Sequence, residues 1–182
     1  LKIVYGNYAA DSGQIIVQHE GHEIDLVRAD PRTILDVRRH TIGYVSQFLR
    51  VVPRVGALDI VAEPLFERGV SVEKARQHAG ELLDRLNLPK RLWSLPPITF
   101  SGGEQQRVNI ARGFITDHPI LLRDEPTASL DAVNRGVVIE MVAEKKQSGV
   151  AILGIFHDAD VRAAVADFLI DVIQFSPHAQ AA

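Results

Sequence analysis

The chain has 182 residues, 46% of them hydrophobic, and a formal net charge of −3. That suffices for one domain with a real core, and it offers neither the basic footprint of a nucleic-acid binder nor a polybasic membrane patch. There is no cysteine, which excludes a disulfide framework and thiolate metal sites. The longest apolar runs, such as "VAILGIF" (150–156), are too short to span a bilayer, so direct membrane insertion is not expected. With no signal-peptide pattern at its start, the cytoplasm is the expected compartment.

The opening "LKIVYGNY" (1–8) has no methionine and reads as the last turns of a helix, so an N-terminally truncated core is expected. "DSG" then turns into a short strand, "QIIVQ", that closes at "HEGHE". Pro31, at a first helical position, opens a helix through Arg39. "TIGYVSQ" (41–47) is a short β-rich run ending in a polar residue. Between 48 and 100 the pattern becomes helical: "VGALDIVAEPLFERG", then "SVEKARQHAGELLDRLN" with Ser71 as its cap. "LPKRLWSLPP" is a proline-stiffened return, with Trp93 packing it against the helices. From Ser101 onward the expected order is helix, strand ("PILLRD"), helix (131–148), strand ("GVAILGIF"), short helix (159–165) and strand ("DFLIDVIQF"), before a frayed tail, "SPHAQAA". Apolar strands alternating with helices predict an α/β fold, a parallel sheet covered on both faces. The helical stretch 48–100 reads as an insertion between 1–47 and 101–182.

Four separated elements carry chemistry. "PILLRDEPTASLD" places Asp124 at the carboxyl end of a buried strand, where open α/β sheets bind ligands, with Glu125 next. An acid there can hold Mg²⁺ and its neighbour can polarise a water for in-line attack on phosphorus; the bland alternative is a cap after a strand. His157 again follows a strand, where a lone histidine is more often an ordinary loop residue. Gln47 ends "IGYVSQ", a neutral side chain able to orient water or complete a magnesium shell. Ser101, Gly102 and Gly103 precede a helix, so bare N–H groups, the positive helix end and a hydroxyl make an anion seat, or simply a serine cap.

In the order Gln, SGGE, DE, D, His, these elements resemble the nucleotide-binding domain of ABC-type ATPases, over nearly the whole chain. The resemblance implies a P-loop NTPase-type sheet with an inserted helical subdomain at 48–100, and ATP and Mg²⁺ as its ligands. It makes Gln47 the Q-loop glutamine, touching both metal and attacking water, and "SGGEQ" the signature, with Ser101, Gly102, Gly103 and Glu104 on nucleotide. "ILLRDE" becomes the Walker B strand, with Asp124 at the metal and Glu125 as catalytic base. Asp131 is then the D-loop aspartate and His157 the switch histidine on the γ-phosphate. In this family the signature serves a nucleotide held by a second ATPase subunit, in a homo- or heterodimer. None of the five lysines here follows a glycine, so the G-x-x-x-x-G-K-[ST] loop is expected before Leu1. Within the family, "GYVSQFLRVVPRVGALDIVAEPL" and "KRLWSLPPITFSGGEQQRVNIARGFI" look like the PhnL-type ATPase subunits of the bacterial carbon–phosphorus lyase system. That implies phosphonate-degrading subunits as partners.

Two departures stand out. Glu104 replaces the more usual signature glutamine, and Arg123 stands where Walker B normally has an aliphatic residue. An unpaired arginine on a strand buried on both faces would cost about 3–5 kcal/mol. His19 and His22 in "HEGH" are expected to be solvated rather than metal-bound, and the arginines of "RADPRTILDVRRH" to form a solvated helix face. Competing readings are the motor of a lipoprotein- or macrolide-type transporter and a non-catalytic interaction module.

Overall fold

The computed structural model describes residues 1–49, 53–124 and 129–175. Its first turn closes as a helix end does: Asn7 N–H donates to the Lys2 carbonyl and Gly6 N–H to that of Ile3, both at 2.8 Å, with Gly6 at φ +75°. Ile16–His19 (β1) and His22–Asp25 (β2) form an antiparallel hairpin. Pro31–His40 (α1) follows, its N-cap Asp30 accepting from the N–H groups of Arg32 and Thr33. The arginines of α1 are not simply solvated. Arg38 donates to the Tyr5 carbonyl at 2.8 Å and lies over the Tyr5 ring, and Arg39 donates to the Glu67 carbonyl at 2.7 Å.

Ile42–Val45 (β3) leads into the helices Ala57–Phe66 (α2) and Val72–Arg85 (α3). Ser71 sits at the N-cap of α3 but makes no side-chain cap bond. Trp93 locks the proline-rich return as expected: its indole N–H donates to the Leu88 carbonyl at 3.0 Å, and its ring closes on Gly80. Gly102–Phe114 (α4), Ile120–Asp124 (β4), Ala132–Gln147 (α5), Ala151–Ile155 (β5) and Ala159–Val165 (α6) complete the order.

The strands β3, β4 and β5 form one parallel sheet in that order, with Val45 opposite Arg123 and Asp124 opposite Ile155. Strand alternation splits its side chains between two cores. Leu122 and Ile42 join Val17, Leu26 and Val37 beneath the hairpin and α1. On the other face, Val45 and Leu121 join a larger core shared by α2 to α6, so helices and sheet are packed as one body there.

Two expectations fail. Double coverage holds for β3 and β4 but not for β5. Leu153, which shares a face with Leu122, is 40% exposed, and Ile155 is 43% exposed, because hairpin and α1 reach only the first two strands. The last segment, 167–175, is not a strand. It ends in a 3-10 turn, Val172–Phe175, and its apolar side chains are 69–92% exposed. A strand is made by its ladder, and among the described residues β5 pairs only with β4. The frayed tail expected after 175 lies outside the described residues.

Arg123 is fully buried, and among the described residues none of its three guanidinium nitrogens has a hydrogen-bond partner. Burial alone pushes its pKa down to about 9, so it stays charged at neutral pH. What compensates is the Phe114 ring, 4.4 Å from the guanidinium carbon. A desolvated cation–π contact is worth about 2 kcal/mol, less than the roughly 3–5 kcal/mol of an uncompensated buried charge. Arg123→Leu should therefore raise stability by about 1–3 kcal/mol in urea unfolding. A loss of stability would refute this balance.

His118 supplies a pH dependence. Arg68 donates to its Nε2 at 2.7 Å, so the ring proton sits on Nδ1, 2.9 Å from Thr116 Oγ1. Burial, then the Arg68 charge, lowers its pKa from 6.5 to about 4. Between those values the unfolded chain binds more protons than the folded one. This contribution is therefore complete above about pH 6.5 and lost as pH falls toward 4. Allowing for solvent screening of a partly exposed ring, the loss should be about 1–2 kcal/mol. Urea midpoints at pH 7, 6 and 5 should fall less steeply in His118→Gln; equal slopes would assign the loss to other groups.

Candidate nucleotide site

Parallel register brings three of the expected residues side by side. Asp124 is the last residue of β4; Gln47 stands two residues beyond the end of β3, and His157 two beyond the end of β5. All three occupy the carboxyl edge of adjacent strands, which lie about 4.8 Å apart. Tyr44 of β3 donates to the Asp124 carboxylate at 3.1 Å. Glu125, the expected base, lies outside the described residues.

The segment after His157 is held from two directions. Arg162 donates to the carbonyls of Phe156 and His157, at 3.1 and 3.4 Å. Asp158 caps α6 through the N–H groups of Asp160 and Val161 and pairs with Arg135 of α5 at 2.8 Å. The Val161 N–H, more than any other partner, holds the Asp158 carboxyl below its ordinary pKa.

Ser101, Gly102, Gly103 and Glu104 form the start of α4. Ser101 is its N-cap, and Glu104 reaches back to accept from both the Ser101 N–H (2.9 Å) and its hydroxyl (2.7 Å), a capping box. That hydroxyl lowers the Glu104 pKa, with the backbone N–H second. Ser101 and Gly102 are exposed, so the helix start opens to solvent. A Cβ on Gly103 would stand 2.9 Å from the Ser129 carbonyl oxygen, so only glycine lets α4 approach that segment. Asp131, two residues on, caps α5 by accepting from the Asn134 N–H at 2.8 Å; this bond chiefly lowers its pKa, and the Arg107 charge adds to it.

The two groups are anchored together but do not meet. Asn109 of α4 donates to the Ser46 carbonyl at 2.5 Å, beside Gln47. A Cβ on Gly113 would collide with Val45, so α4 lies directly on β3. Ser101 is eight residues before Asn109, about 12 Å along the helix. The anion seat is thus set away from the strand-end row.

Tyr44, Asn109, Arg135 and Ser129 were missed by sequence reading. Each acts on a partner distant in the chain, and only the glycine at 103 hinted at a close approach. The donor chemistry fits Mg²⁺ and a nucleotide's phosphates. Asp124 and Gln47 offer hard oxygen ligands, and α4 presents an exposed amino end whose Ser101 donors are held by Glu104.

A family model described as ABC transporter matches residues 1–128. The lipoprotein-releasing system ATP-binding protein LolD of Hyphomonas neptunium is 39% identical over 126 residues, covering 67% of this chain and 55% of the relative. LolD of Shewanella denitrificans is 36% identical over 154 residues, 84% of this chain and 64% of the relative. YvrO of Bacillus subtilis, an uncharacterized ABC transporter ATP-binding protein, is 34% identical over 139 residues, 76% of this chain and 60% of the relative. The chain thus spans about 55–64% of the length of these relatives. Among solved structures, a dimeric post-hydrolysis state of the ATP-binding cassette MJ0796, bound to ADP and Pi, matches with a TM-score of 0.79 at 28% identity. It covers 90% of this chain and 71% of the cassette. With the strand-end row and the helix-start seat in place, and the family model matching well over half of it, the chain belongs to the ABC transporter family of ATP-binding proteins.

Proposed function

We propose that this chain carries the metal, water-positioning and signature parts of an ABC-type ATPase site. The observation that carries the reading is the alignment of Gln47, Asp124 and His157 on one strand edge, apart from the Ser101 helix start. Asp124 and Gln47 would hold Mg²⁺, which neutralises phosphate charge when bound. Glu125 would accept a proton from the attacking water, and His157 would hold the γ-phosphate. The donors of Ser101, Gly102 and Gly103 would contact a γ-phosphate presented by a second subunit, with Glu104 and Asp131 beside them. On this reading residues 48–100 are a helical insertion between core parts 1–47 and 101–182, and the protein works on the cytoplasmic side. Dimerisation is supported by the dimeric form of MJ0796.

Which system the ATPase serves is supported differently by two observations. The lipoprotein-releasing names of two relatives favour a transporter motor, whose helical insertion receives membrane subunits. The wording of "FLRVVPRVGALDIVAEPL" and "KRLWSLPP" favours an ATPase of phosphonate carbon–phosphorus bond cleavage. The relatives' names weigh toward the transporter. Co-purification decides, with membrane subunits supporting the motor and soluble phosphonate enzymes supporting the other.

The 182-residue chain has no lysine after a glycine, so it lacks the cradle that grips the β- and γ-phosphates. Calorimetry with Mg·ATP should show binding weaker than micromolar, and tight binding would overturn the assignment of roles. With a P-loop segment supplied ahead of Leu1, Glu125→Gln should cut steady-state hydrolysis to less than about a tenth while ATP binding persists. Ser101→Arg, added to that variant, should abolish ATP-dependent dimerisation measured by light scattering. Dimers that persist would reduce the seat to a helix cap.

A further inference from the structure

We propose that His19, Glu20 and Asp36 form a binding site for a divalent transition-metal ion of the zinc type, fastening the β1–β2 hairpin to α1. The three come from the end of β1, the hairpin turn and the middle of α1. Each offers one ligand atom, and these atoms lie within 4.8 Å of one another. This is not the cluster that "HEGH" suggests. His22 stands opposite His19 in the hairpin register but is exposed and does not belong to the group.

His19 is only 6% exposed, contrary to the solvated ring expected from sequence, and both ring nitrogens are engaged. Its Nδ1 is 2.6 Å from Thr41 Oγ1, and its Nε2 is 3.0 Å from Asp36 Oδ2. Two ligands of one tetrahedral zinc ion, each bonded at about 2.0–2.1 Å, stand about 3.3 Å apart. The observed separation needs only a small opening to admit the ion in place of a proton.

The surroundings are those of a ligand set. A metal-binding imidazole is normally oriented by a hydrogen bond on its other nitrogen, and a metal-binding carboxylate by a partner on its other oxygen. Thr41 takes the first role here. His40, with Nδ1 3.0 Å from Asp36 Oδ1, takes the second. Glu20 holds the first position of the hairpin turn at φ 49°, a left-handed conformation where asparagine or glycine is the usual occupant. One imidazole and two carboxylates suit zinc, cobalt or nickel better than magnesium or calcium, which prefer oxygen alone. The cluster sits at the amino end of β3, since Thr41 directly precedes Ile42, whereas Gln47 lies beyond its carboxyl end. It is therefore independent of the nucleotide reading.

The test is calorimetric titration of the untagged, metal-stripped protein with zinc chloride, with magnesium chloride alongside, and thermal unfolding with and without zinc. The expected result is one zinc ion per chain at micromolar affinity or tighter, a raised Tm and no magnesium response that Glu20→Gln or Asp36→Asn alters. Glu20→Gln, at an exposed turn position, should leave the metal-free Tm in place and weaken zinc binding by about tenfold or more. Asp36→Asn should weaken zinc binding as much and also lower the metal-free Tm, because Asp36 holds both His19 and His40, and His22→Ala should bind as the parent does. Absence of zinc binding, equal affinity in Glu20→Gln and Asp36→Asn, or loss of binding in His22→Ala would each overturn the proposal.

Discussion

A strand with a parallel neighbour on each side has its backbone groups satisfied laterally, so all three strands must finish at nearly the same level. That condition is met by β4 between β3 and β5. It converts three residues scattered over more than a hundred positions into a row on one edge. Neither Gln47 nor His157 needs a local motif to come to the edge that Asp124 occupies; each needs only to follow its strand by two residues. The spacing of the row is therefore set by the ladder beneath it.

The α4 helix carries that spacing to a second place. It is pinned to β3 where Gly113 meets Val45 and where Asn109 reaches the Ser46 carbonyl, and its free end carries Ser101. A helix cannot shorten, so the spacing between strand edge and helix start is fixed by residue count. Glu104 adds a feature of its own. Its carboxylate occupies the N–H and hydroxyl of Ser101, so any anion reaching this helix start would have to exchange that bond first.

The sequence makes most of the scaffold legible because its signals are local. Pro31 starts a helix, and the runs 120–122 and 151–155 are apolar. The positions of Gln47, Asp124 and His157 at strand ends were legible because the strand runs themselves were. What failed was non-local. Whether "DFLIDVIQF" forms a strand depends on a partner strand, and whether Leu153 is buried depends on how far α1 and the hairpin extend. The fate of His19 depended on Thr41 and Asp36, 22 and 17 residues away. The cost of Arg123 was foreseeable from the strand pattern, but the Phe114 ring that softens it belongs to another element.

The outer edge of β5 has a further consequence. Among the described residues this strand has a neighbour on one side only, and Leu153 and Ile155 project from its uncovered face. A row of unpaired amides beside apolar side chains is a template for strand addition. An extended segment laid along that edge would lengthen the parallel ladder by one strand and cover Leu153 and Ile155 in the same step.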